Sequence, residues 1–168
     1  LDVHCSQYYL QLVLQTARAR FPVRDSLEEP VTHLVMPHRE RIRLNREANL
    51  REVPPSGALF VPAAQESKVV NAPQDMWVWP GQRLVGAGDT GGTKSPCNRG
   101  CFYYVESISD DKVKLLDLKE PLSKEHVSKF LRLSNALTFA SCQGLTLKGR
   151  VRLHTRSPHF TARHLYVG

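Results

Sequence analysis

The run Ala136-Leu137-Thr138-Phe139-Ala140-Ser141-Cys142-Gln143-Gly144-Leu145-Thr146-Leu147 decides how this chain is read. A short apolar β run, 136–140, delivers a polar cluster and a glycine to one edge of a sheet. In open α/β sheets, ligands bind at the carboxyl ends of parallel strands, so binding groups are expected there. Thr138 and Ser141 can donate to phosphate oxygens, and Gln143 can donate or accept. Gly144 lets a ligand come close to the backbone.

Upstream, Val31-Thr32-His33-Leu34-Val35-Met36 is a β-rich run closed by Pro37, and the charged stretch His38 to Glu52 is rich in good helix formers. Strand followed by helix is the unit of a parallel sheet, which predicts an α/β fold. Before it, Ser6 is placed to cap a helix over about 7–19, with Tyr9, Leu10, Val13, Leu14 and Ala17 as its apolar stripe and Pro22 after its end. The middle changes character. From Gly57 to about Leu118, short β runs are divided by Gly, Pro and Asn: 58–61, 76–79, 83–85, 102–108 and 113–118. Asp110-Asp111 marks a hairpin turn between the last two. This predicts a small β-barrel or antiparallel insertion over 57–122, with 123–133 leading back to the main sheet. A further β run at 150–154 and a helix from Thr161 complete the pattern.

The formal net charge of +7 is unevenly placed. Residues 1–52 carry eight basic and seven acidic side chains and residues 53–130 nine of each, whereas 131–168 carry six basic side chains and no acid. A local surplus of this kind suits a polyanion, because each phosphate neutralised releases counterions. Four cysteines without a dense framework point to an intracellular, reducing compartment. No apolar run reaches the roughly 20 residues that span a bilayer, so no membrane partner is expected. The opening Leu1-Asp2-Val3 lacks both a leader pattern and an initiating Met, as expected of a fragment.

The 136–147 run resembles motif V of superfamily 1 helicases, particularly the PIF and RecD-like branch. Two other stretches fall in the order this family requires. Leu34-Val35-Met36-Pro37-His38-Arg39-Glu40-Arg41-Ile42-Arg43-Leu44-Asn45 resembles the motif IV strand and helix, including the Asn near the helix middle. Trp79 to Val85, Asn98-Arg99-Gly100 and the hairpin resemble the family's SH3-like insertion with its Asn-x-Gly turn. His164-Leu165-Tyr166-Val167-Gly168 looks like the opening of motif VI. Motif V in this branch carries His and Lys before the Ser. Here Ala140 and Ser141 stand there and Cys142 takes the Ser position, so those two DNA contacts do not carry over.

The resemblance implies a RecA-like parallel sheet with helices on both faces and a small SH3-like β-barrel insertion. Residues 1–56 would form the first part of a second RecA-like domain and 57–122 the insertion. Residues 123–168 would hold the remainder, with motif V and the start of motif VI. It implies an ATP-dependent DNA helicase as part of a longer protein. Its partners would be single-stranded DNA, with RNA left open, and an N-terminal RecA-like domain that shares ATP and Mg2+. His38, Arg39, Thr138, Ser141, Arg150 and Arg152 become the nucleic-acid-binding candidates. Gln143 and Gly144 become the residues near the nucleotide cleft that couple the two sites. The alternative class is a non-catalytic basic nucleic-acid-binding module with an SH3-like barrel.

Other motifs are weaker. Gly88-Asp89-Thr90-Gly91-Gly92-Thr93-Lys94-Ser95 approaches a phosphate loop, but Thr93 replaces the glycine before Lys94, and Pro96 stands where a phosphate-binding helix must begin. The chain alone is therefore expected to lack ATPase activity. Ala140 to Gly144 resembles a caspase nucleophile segment, yet no His lies between His38 and His126, where that chemistry needs one roughly 50 residues upstream. A buried or edge thiol is the expectation for Cys142. Of the pairs Trp77/Trp79 and Tyr103/Tyr104, alternate members are expected to fill the barrel core, and His33 to be a satisfied core residue.

Overall fold

The computed structural model describes residues 3–20, 31–65, 71–89, 94–161 and 164. Its first elements are α1 (Val3–Arg20), β1 (Val31–Val35), α2 (His38–Glu52), β2 (Leu59–Val61), β3 (Met76–Val78), β4 (Arg83–Gly86) and β5 (Phe102–Ser109). There follow β6 (Lys112–Leu115), β7 (Leu122–Ser123), α3 (Lys124–Phe130), β8 (Leu131–Leu133), β9 (Ala136–Thr138) and β10 (Arg150–Leu153).

β1 is the centre of a three-stranded parallel sheet in the order β10-β1-β9. Leu34 of β1 and Leu137 of β9 are paired in register and share a core with Leu10, Phe139 and Phe160. α1 reaches this core through Leu10 and Leu14. The helix spans Val3–Arg20, so Ser6 lies within it rather than at its start. The expected stripe is also narrower than its sequence spacing, because Tyr9, Val13 and Ala17 are exposed. Only the line of residues that meets the sheet is covered.

α2 contacts β1 and β9, although its buried face is Arg41, Asn45, Ala48 and Asn49. Hydrogen bonds do what an apolar stripe does elsewhere. Asn45 accepts from the Ala136 N–H at 2.7 Å and donates to the carbonyls of Ala136 (3.0 Å) and Leu133 (3.3 Å). One turn on, Asn49 brackets Trp77 of β3 in the same way, accepting from its N–H and donating to its carbonyl at 2.8 Å each. A side-chain amide matches the donor and acceptor of one peptide, so each Asn satisfies strand backbone that would otherwise be buried unpaired.

The second sheet is antiparallel, in the order β7-β6-β5-β4-β8, with β2 and β3 as a separate ribbon over the same core. Val78, Leu84, Tyr103, Val113 and Leu133 are among the buried side chains of that core. Asp110 and Asp111 have φ of 47° and 60°, the geometry of a two-residue hairpin turn that follows strand twist. Tyr103 is buried and Tyr104 exposed, as strand alternation requires. On its way back to the parallel sheet the chain forms α3 and then β8. That strand pairs with β4 before the chain crosses to β9, so the antiparallel sheet continues past residue 122. The cause is packing: Leu131 and Leu133 close the core that β4 and β5 leave open.

Arg83 joins the two sheets. It donates to Thr32 Oγ1 and Ser134 Oγ at 3.1 Å each and lies 4.7 Å from the centre of the Phe102 ring. No described helix is long and apolar enough to cross a membrane.

Candidate nucleic-acid interface

The turn after β9 holds the residues that the sequence singled out. Thr138 is almost fully buried, and its hydroxyl donates to Ser141 Oγ at 2.9 Å. Ser141 Oγ also accepts from the Thr138 N–H (3.0 Å) and donates to the Thr138 carbonyl (2.9 Å). The two hydroxyls that the sequence marked as phosphate donors are thus hydrogen-bonded to each other. Thr138 shapes the turn, and Ser141, half-buried, reaches a small pocket. The physical reason is local: a Thr and a Ser three residues apart satisfy each other and the turn backbone before any ligand arrives.

Gln143 and Gly144 are exposed at the tip of that turn. Gly144 has φ of +78°, and a Cβ there would meet nothing within 4 Å, so its lack of a side chain serves the backbone geometry. Cys142 is buried and donates to the Phe139 carbonyl at 3.2 Å, and burial pushes its thiol pKa up. A thiol held neutral this way is a poor nucleophile, in keeping with the packing role expected of it.

The other candidates fall into two groups at the carboxyl edge of the parallel strands. Arg39 and Arg152 line a cleft of about 620 Å3, formed by the end of β1, the first turns of α2 and the segment after β10. Arg43, His154 and Arg156, which the sequence reading did not select, line it too. Arg43 is held by Glu40 at 2.6 Å and Glu47 at 2.7 Å, which mutes its field; Arg39 is exposed on the same rim. His38 and Ser141 line a second, smaller pocket with Arg41, Arg99 and Arg132. Arg150 lines neither pocket. It pairs with Val31 at the opposite end of its strand.

His33 is half-buried and satisfied by an unforeseen partner. Its Nδ1 stands 2.9 Å from His154 Nε2, joining β1 to the segment after β10. Such a bond needs a donor on one ring and an acceptor on the other, so at least one imidazole is neutral. Desolvation first, then the charges of His154, Arg152, Arg51 and Arg43, lower the His33 pKa from 6.5 to about 4. Between those values the unfolded chain binds the proton that the folded chain refuses. The stabilisation is therefore complete above pH 6.5 and is lost as pH falls toward 4. Discounted for solvent screening, the loss should be about 1–2 kcal/mol. Urea midpoints at pH 7.5 and pH 5 should diverge more for the wild type than for His33→Gln; equal divergence would reject this origin.

No protein-family model matches the sequence, and no curated protein matches it. Solved structures do match by fold. Against the Pif1 helicase from Bacteroides in complex with ADP-AlF3 and ssDNA, the TM-score is 0.54 at 19% identity, over 95% of this chain and 42% of that one. Against Bacteroides Pif1 bound to ssDNA it is 0.51 at 18% identity, over 85% and 38%. Against the Pif1 helicase from Candida albicans it is 0.51 at 12% identity, over 94% and 46%. The chain thus spans less than half the length of these structures. At these identities the likeness defines the fold: a mixed α/β arrangement of the kind found within Pif1 helicases.

Proposed function

We propose that this chain is the nucleic-acid-binding C-terminal motor part of an ATP-dependent superfamily 1 DNA helicase. It would comprise a second RecA-like domain and its SH3-like insertion. Single-stranded DNA lies across the carboxyl edge of β9, β1 and β10, and ATP sits between this domain and an N-terminal RecA-like domain. One observation carries the reading. A cationic cleft lined by Arg39, Arg152 and Arg156 opens at the carboxyl edge of the parallel strands, in a chain with the fold of Pif1 helicases. That edge is where α/β sheets present binding groups, and guanidinium forks match phosphate oxygens.

In this reading Arg39 and Arg152 hold backbone phosphates, Ser141 and His38 approach the strand beside them, and Thr138 keeps the turn in shape. Arg150 adds positive field from farther along β10. Gln143 and Gly144 project from the turn toward the nucleotide side. The exposed amide and open glycine backbone fit a polar ligand that arrives only on domain closure. Bound ATP supplies the free energy of closure. Mg2+ would be shared, with the nucleotide, between this domain and the N-terminal one.

The test is a fluorescence-anisotropy titration with a labelled oligo(dT) over a range of salt. Binding should weaken steeply with salt, as for any strand held by its phosphates. Arg39→Glu with Arg152→Glu should weaken it about tenfold or more, while Lys112→Glu, on the hairpin of the antiparallel sheet, should change it less than twofold. The opposite order would place the interface on the antiparallel sheet and reject the motor reading.

A further inference from the structure

Arg41 and Arg132 are each only 3% exposed, a rare state for arginine. Arg41 projects from α2 and Arg132 from β8, and both reach the same loop. Arg41 Nη2 donates to the carbonyls of Asn71 (2.8 Å) and Ala72 (2.7 Å), and Arg132 Nε to that of Asn71 (3.3 Å). The carbonyl dipoles around Arg41 solvate its guanidinium but do not neutralise it. Arg41 Nε is buried with no acceptor among the described residues. Desolvation lowers both arginine pKa values to about 10, and Arg41 adds like-charge repulsion to Arg132.

Both residues line the small pocket between the two sheets, with His38, Ser141, Arg99 and Gly100. Its free space is about 20 Å3, room for one water-sized atom such as a phosphoryl oxygen. Arg99 is exposed on its rim. The far wall is the Asn98–Gly100 turn, which Gly86 admits: a Cβ on Gly86 would stand 2.1 Å from the Asn98 carbonyl oxygen. Gly100 has φ of +79°, and a Cβ there would come within 2.8 Å of the Leu145 side chain, so the turn is seated against the segment that follows β9. The pocket is therefore built by both sheets at once.

We propose that this pocket binds one backbone phosphate of the single strand, with one oxygen entering toward Arg41 and Arg132 and the phosphodiester held at the mouth by Arg99. A phosphate supplies the negative charge and acceptor that Arg41 lacks. His38 and Ser141 make the pocket continuous with the interface proposed above, on which this assignment rests. A free phosphate would satisfy the same donors, so the test separates the two sources.

The test takes the full chain, a labelled oligo(dT) and inorganic phosphate as probes. Arg99→Glu is the primary variant, because an exposed rim position leaves folding intact; Arg41→Met and Arg41→Lys are compared with it after their melting temperatures are measured. Losing one phosphate contact should flatten the slope of log affinity against log salt by about 0.7 and weaken low-salt binding about 5- to 10-fold. Arg99→Glu and Arg41→Met should both show this, and Arg41→Lys should recover part of it. Inorganic phosphate should raise the wild-type melting temperature above that in chloride at equal ionic strength, and should not raise that of Arg41→Met. A wild type that binds the strand with a slope unchanged in Arg99→Glu overturns this assignment alone. If phosphate still stabilises that wild type, the pocket belongs to a free anion. A wild type that binds no oligonucleotide overturns the helicase reading and this assignment together.

Discussion

Replacing Gln143 by alanine in the full-length motor proposed above should lower DNA-stimulated ATP turnover about 10- to 100-fold, equivalent to about 1.4–2.7 kcal/mol, while DNA affinity falls by less than about threefold. Gln143 is exposed at the tip of the turn after β9, one residue before a glycine in the left-handed region, and its neighbours Thr138, Ser141 and Cys142 are hydrogen-bonded within the turn. The turn is thus rigid at its base and presents one unencumbered amide. In the proposed motor that amide meets the nucleotide side only when the domains close, and an interaction made chiefly in the closed state governs turnover without matching ground-state binding. Because the side chain is exposed, truncation should leave the melting temperature within about a degree. Turnover, DNA affinity and melting temperature measured on one preparation decide the matter. Parallel losses that track stability would make Gln143 a packing residue and remove it from the coupling role.

Asn45→Ala should be among the most destabilising single changes in the chain, at about 2–4 kcal/mol, or roughly 6–12 °C in melting temperature for a domain of this size. Asn45 is fully buried and makes three hydrogen bonds to backbone at the junction of β8 and β9. Alanine leaves the Ala136 N–H and two carbonyls facing a cavity, and each orphaned buried group carries its own desolvation cost. Asn45→Asp is the informative companion. It keeps an acceptor for the Ala136 N–H but loses the donor and places a charge in the core, so it should be at least as damaging at neutral pH and should recover on acidification as the carboxyl protonates. If Asn45→Ala melted within about 2 °C of wild type, the amide would not be what fastens α2 to the strand that carries the candidate site.

Much of the architecture was legible from local pattern. The β-rich run ending at Pro37 and the helix-forming stretch after it are β1 and α2. The Asp110-Asp111 turn was readable because few residue types tolerate positive φ at two successive positions. The run from Ala136 was readable as a strand delivering polar groups to an edge, and it does so. What the turn does with those groups was not readable: whether Thr138 and Ser141 face outward or bond each other depends on the backbone between them.

The strand and helix segments, the hairpin and the basic character of residues 131–168 all follow from neighbours close along the chain. Which polar residues lie inside depends on contacts made across the fold. Arg41, Asn45, Ala48 and Asn49 recur at helical spacing, but as mostly polar groups they read as a solvent face. They are buried because β9, β3 and the loop at Asn71 supply carbonyls and amides that meet them. His33 and His154, 121 residues apart in sequence, become partners only when β10 is laid beside β1. Arg132 is an ordinary alternating residue of a Leu-Arg-Leu run until Arg41 and the Asn71 loop close over it. Burial of an apolar residue can be read from pattern because water alone drives it. Burial of a charge depends on the particular groups that replace water, and the fold brings those from elsewhere in the chain.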